Sequence, residues 1–191
     1  MASQVFFRGQ IEHTEKTIER LYRTQYYAFD KMRALLRLLV LGLAPIFAAA
    51  FSAALPTWSR MLLLMVGAWF TVSGDFPAQM RADRALQNRK ADLPKMEYAF
   101  LSDRMELSGE GSMTIEYRKL IRLVQDEEYL YLIFSRDSVC MVDRERITPN
   151  GAEALMQFLE NKTKLPWRRE RGFLSMNLWD FRQMLRDRKQ K

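Results

Sequence analysis

The sequence predicts an α+β membrane protein: a two-helix transmembrane hairpin, a small antiparallel β domain closed by one C-terminal helix, and a basic amphipathic tail. Three observations predict it. Two apolar runs, 38–55 and 61–74, are separated only by Pro56-Thr57-Trp58-Ser59-Arg60. Short β-favouring runs broken by turn residues fill the chain from Met96 to Val142. The formal net charge of +7 is concentrated at one end, where residues 162–191 hold ten Lys or Arg against three acids.

A hydrocarbon core of roughly 30 Å needs about 20 apolar helical residues. The first run has 18 uncharged positions, and the Arg37 guanidinium at its edge can reach the headgroups. The second has 14, and reaches spanning length when Arg60 snorkels and the helix continues through Asp75 and Phe76, giving spans at 38–55 and 59–77. Lys16, Arg20, Arg23, Lys31, Arg33 and Arg37 precede the first span, Arg81, Arg84, Arg89 and Lys90 follow the second, and Arg60 stands alone between them. Positive-inside counting then places both termini in the cytoplasm, with Trp58 as an interfacial anchor on the far side. The run 48–54 imitates a signal-peptide cleavage site, but about 37 residues precede the apolar run, far more than an n-region. A buried hairpin in a soluble protein would show one apolar stripe, whereas these runs are apolar all round. Ala44/Ala48, Ala49/Ala53, Ala50/Ala54 and Gly67/Thr71 are small pairs at four-residue spacing, which pack the two helices together or, alternatively, form a homodimer seam. Pro45 bends the first span, and Asp75 is a helix-end or Arg-paired acid rather than a proton relay.

Residues 1–37 read as a strand at 4–11 followed by a juxtamembrane helix from Glu15, capped by Thr14, with Ile18, Leu21, Tyr22, Phe29 and Met32 at helical spacing. Tyr26, Tyr27 and Phe29 give that helix an interfacial character. Residues 78–92 are a second juxtamembrane helix and linker. Within 93–164 the strands are 96–101, 105–107, 113–117, 120–124, 129–134 and 139–142, hairpin-linked with one face buried, and Asp126-Glu127-Glu128 is a solvated turn. Thr148 as N-cap and Pro149 at the first position open a helix whose apolar face is Ala152, Leu155, Met156 and Leu159. A curled antiparallel sheet closed by one helix is a pleckstrin-homology-like plan. In the tail, 165–191, Leu178, Trp179, Phe181, Met184 and Leu185 recur at helical spacing among arginines. Trp167, Arg168, Arg169, Trp179, Arg182, Arg186 and Arg188 are the candidate contacts with anionic lipid headgroups or an acidic protein partner. Docking of the tail on its own domain is the alternative.

The segments 98–105, 113–121 and 126–132, behind an N-terminal strand, a helix and a membrane hairpin, resemble the bacterial YcxB-like family over roughly residues 5–162. The resemblance implies two spans in the cytoplasmic membrane of a bacterium, a small pleckstrin-homology-like domain, and an N-terminal strand that joins the distal sheet. It implies no activity. Members usually carry Trp in the segment where this chain has Tyr117. One cysteine, Cys140, excludes an internal disulfide and a Cys-rich metal site, and one histidine, His13, leaves no His-based zinc site or Ser-His-Asp triad. No cofactor is expected, and no phosphate-cradling glycine loop or nucleic-acid motif is present. The sequence therefore reads as a noncatalytic membrane-anchored binding or scaffold module, with homo-oligomerisation left open. The alternative is a subunit of a small transporter or channel, which would need oligomerisation because two helices cannot enclose a pore.

Overall fold

The computed structural model describes residues 4–52, 54–88, 95–109 and 111–169. These form an α+β chain in two compact units, one holding the described residues through Gln25 and from Arg81 to Arg169, the other Tyr26–Met80.

In the first unit, strands β1 (Phe7–Glu12), β2 (Lys95–Phe100), β3 (Arg104–Ser108) and β4 (Ser112–Glu116) form an antiparallel sheet in that order. A second sheet has the order β7-β6-β5-β8, from β5 (Arg122–Gln125), β6 (Tyr129–Ile133), β7 (Val139–Asp143) and β8 (Trp167–Arg168), the last running parallel beside β5. All six strands expected between Met96 and Val142 are present. The N-terminal strand does join the distal sheet, with Phe7 opposite Phe100 and Glu12 opposite Lys95. Everything between Glu12 and Lys95 is thus inserted between two neighbouring strands.

Alternation along β1 buries Phe7, Gly9 and Ile11. The strand also pairs outside its own sheet, because Arg8 and Thr148, in the loop after β7, exchange both backbone hydrogen bonds, at 2.6 and 2.8 Å. A Cβ on Gly9 would lie 2.6 Å from Val142 Cγ1, so glycine is what lets β1 come this close. This pairing corrects the expected helix start. Thr148 commits its backbone to β1, the Thr148-Pro149 bond is cis, and helix α5 (Gly151–Thr163) begins after Asn150 at φ 66°.

Helix α5 presents Leu155 and Leu159, both fully buried, and sets Phe158 within 5.7 Å of Phe6, 5.4 Å of Phe7 and 5.9 Å of Tyr117, ring centre to ring centre. Tyr117 lies in a single 3-10 turn rather than in a strand, and its hydroxyl donates to the Leu101 carbonyl at 2.8 Å. One aromatic contact therefore ties the N-terminus, the sheet and the closing helix together.

The second sheet departs from the expected one-sided burial. Leu130, Tyr131, Leu132 and Ile133 are all fully buried, so both faces of β6 are covered. The outer face takes the first turns of helix α1 (Glu15–Arg37): Ile18 is buried, Thr24 hydrogen-bonds Tyr131, and the Arg20 guanidinium lies 5.3 Å from the centre of the Tyr129 ring. Thr14 and Thr17 exchange backbone-to-hydroxyl hydrogen bonds at 2.7 and 3.3 Å, which fixes where α1 begins. Cys140 is also buried, and burial pushes its thiol up to about 12. Alkylation by iodoacetamide near pH 8 is expected to be negligible in the folded chain and to appear with unfolding, because the thiolate is the nucleophile.

In the second unit α1 passes Asp30, whose φ of −106° and ψ of 18° break the helical geometry. It then runs into a π-helical turn (Leu38–Leu43) and helix α2 (Ala44–Phe51). The wide turn explains how Pro45 is tolerated: proline frees a carbonyl one turn back, and a π turn redistributes the backbone hydrogen bonds, with Ala44 N–H reaching Leu39 O. Helix α3 (Thr57–Val72), one 3-10 turn (Ser73–Asp75) and helix α4 (Phe76–Asn88) complete the hairpin. Glu15–Phe51 and Thr57–Gln87 are long and apolar enough to cross a membrane by length and composition, and only 17 % and 11 % of their most apolar windows are buried.

The helices meet at two glycines. A Cβ on Gly67 would lie 2.6 Å from both Gly42 O and Ile46 Cγ1, and one on Gly42 would lie 2.8 Å from Thr71 Oγ1. The Gly67/Thr71 pair therefore packs the hairpin internally, joined by Ala49, while Ala44, Ala48 and Ala50 are exposed. The Arg60 guanidinium donates to Ser52 O at 2.6 Å, meeting a carbonyl just past the end of α2. Asp75 is at a helix end, where it accepts the Tyr27 hydroxyl. Tyr26 and Tyr27 are buried with Ala34 and Ala78.

Candidate functional site

In the β unit, charge gathers at the turns between β5 and β6 and between β6 and β7. Asp126 organises the first: its Oδ1 accepts the Glu128 and Tyr129 backbone N–H at 2.9 and 2.7 Å, and its Oδ2 accepts the Tyr131 hydroxyl at 2.7 Å. Arg20 on α1 forms a two-pronged pair with Glu128, at 2.5 and 3.0 Å, with Nε 3.8 Å from Asp126. Arg144 donates to the Asp126 carbonyl at 2.9 Å and pairs with Glu153 on α5.

The acidic turn expected to be merely solvated is therefore a clamp that docks α1 on the second sheet. Arg20 holds the Glu128 carboxyl below its usual range, and burial followed by the neighbouring Asp126 raises the Tyr131 phenol. A carboxylate depressed in the folded state stabilises it above the ordinary glutamate pKa, near 4.3, and loses that effect as pH falls below it. Hydrogen-exchange protection along residues 15–25, taken relative to the intrinsic rate at each pH, is expected to fall below about pH 4, and Glu128→Gln should bring the same loss of protection to neutral pH.

At the next turn, the Gln25 amide donates to the Arg136 carbonyl. Beside it lies a half-open cavity of about 250 Å³ lined by Leu21, Tyr22, Gln25, Arg81, Arg136, Asp137 and Val139. No local pattern announces this grouping, because α1, Arg81 and the β6–β7 turn are far apart in the chain.

Trp167 is half-buried, its indole N–H donates to Met156 O at 2.9 Å, and as part of β8 its backbone pairs with Leu123 of β5. Thr163 Oγ1 donates to Leu159 O at 2.7 Å and accepts the Leu165 N–H at 3.2 Å, and Lys164 turns the chain at φ 58°. Arg168 and Arg169 are exposed. Trp179, Arg182, Arg186 and Arg188 lie outside the described residues. Trp167→Ala is expected to lower stability by about 2 kcal/mol in chemical denaturation, from lost packing and one lost hydrogen bond.

Among the described residues no group of three His, Cys, Asp or Glu side chains could hold a metal ion. No curated protein matches the chain. A family model described as YcxB-like protein matches residues 100–159, from the end of β2 to Leu159 in α5, and it is to that family that this stretch of the chain is similar.

Proposed function

We propose that the protein is a noncatalytic membrane-anchored binding module, in which the hairpin crosses the cytoplasmic membrane of a bacterium twice and presents a pleckstrin-homology-like domain at its inner face. The observation that carries this reading is the exposure of the apolar helices: Phe47, Phe51, Met61, Met65, Trp69 and Val72 are 58–79 % exposed, which water would penalise and lipid would not. The excess of Lys and Arg beside the outer ends of the spans, against Arg60 alone in the loop, supports cytoplasmic termini. Four strands followed by three more and a closing helix, with β8 added at one edge, support the domain assignment. The basic stretch from Arg168 onward supports contact with anionic lipid at about 1 kcal/mol per basic residue near the surface, or with an acidic partner.

Alkaline carbonate extraction tests the anchor: the chain is expected in the membrane pellet, and its release would reject the reading. For the tail, full-length protein should be compared in mild detergent with a version ending at Arg169, because ending at Lys164 would also remove β8. Charge reversal at Arg182, Arg186 and Arg188 is expected to lose copurifying anionic lipid or protein, and unchanged companions would reject the tail's role.

A further inference from the structure

We propose that the cavity between the first turns of α1 and the β6–β7 turn binds a phosphoryl group carried on a small organic ligand. Arg81 and Arg136 come to this space from distant parts of the chain. Guanidinium groups keep their charge at any physiological pH, and their planar forks match the paired oxygens of a phosphoryl group. Tyr22 and Gln25 also line the space, and the hydrogen bond from the Gln25 amide to the Arg136 carbonyl holds the turn that carries Arg136. About 250 Å³ exceeds what a bare carboxylate or phosphate fills, and Leu21 and Val139 offer an apolar wall to the carbon portion. Asp137 is the one acid of the lining; it opposes an anion and so gives the test a sign.

The ligand's source is a lipid headgroup or a free phosphate ester. Both arms use the full-length chain in maltoside micelles. In the first, inorganic phosphate is titrated without lipid; in the second, phosphatidylglycerol is added in phosphate-free buffer. The readout is the thermal unfolding midpoint of the β unit, which a ligand of the folded state raises by mass action. A rise in the first arm supports a free phosphate source, a rise confined to the second supports a headgroup, and no rise in either overturns the proposal. Arg81→Gln with Arg136→Gln, both at exposed positions, should weaken the response about tenfold or more. Asp137→Asn should strengthen it by removing a charge of the same sign as the ligand, and a weaker response in that variant would overturn the proposal. The lining belongs wholly to the β unit, so failure here leaves the anchor reading standing, and a chain released by carbonate would still be expected to bind phosphate.

Discussion

Deleting residues 1–12 is expected to abolish folding of the β unit, although the deletion leaves every residue of the matched stretch 100–159 in place. Strand β1 supplies six register partners to β2, closes onto Thr148 beyond β7, and buries Ile11 and Phe7. Losing a buried Ile or Phe side chain costs about 2–5 kcal/mol each, so the pair alone rivals the roughly 5–15 kcal/mol net stability of a whole domain. Removal also strips Phe6 and Phe7 from Phe158 and leaves β2 as an open edge. The measurement is amide exchange of Leu130–Ile133 in the truncated chain. Fast exchange is expected; protection at the full-length level would show that β1 is dispensable. Ile11→Ala in the intact chain provides the graded version, with a loss of about 2–5 kcal/mol in denaturant.

The second large effect belongs to the hairpin. Gly67→Leu is expected to separate α3 from α2 and the π turn, since even a Cβ would overlap Gly42 O, a backbone atom that cannot swing aside. Overpacking costs about 1–3 kcal/mol where side chains can adjust, and more is expected against backbone. Gly67→Ala should already lower the detergent midpoint, and Gly67→Leu should abolish spin-label distances characteristic of the paired helices. Trp69→Leu, on a 70 % exposed neighbour, is the control expected to change neither.

What was legible in the sequence follows from physical range. Short β-favouring runs bounded by turn residues marked all six strands between Met96 and Val142, and uninterrupted apolar runs marked the hairpin, because both signals are local. Burial of both faces of β6 was not legible. The Tyr129-Leu130-Tyr131-Leu132-Ile133 run allows a second cover, but the cover comes from α1, whose apolar residues read equally well as an approach to a membrane. The start of α5 was missed because the backbone of Thr148 pairs with Arg8, far away in the chain. Strand β8 has only two residues, too few for a pattern, and its Trp167 read as a candidate lipid or partner contact. The Arg20 clamp and the Arg81–Arg136 cavity depend on residues brought together by tertiary structure alone.

The insertion of the hairpin between Glu12 and Lys95 has a mechanical consequence. Those residues face each other across β1 and β2, so tension drawn through the two helices would enter the sheet at one rung and open its hydrogen bonds one at a time, the weak direction for an antiparallel pair. On the α1 side the Arg20–Glu128 clamp comes ahead of that rung along the chain, so it takes load before Glu12 does.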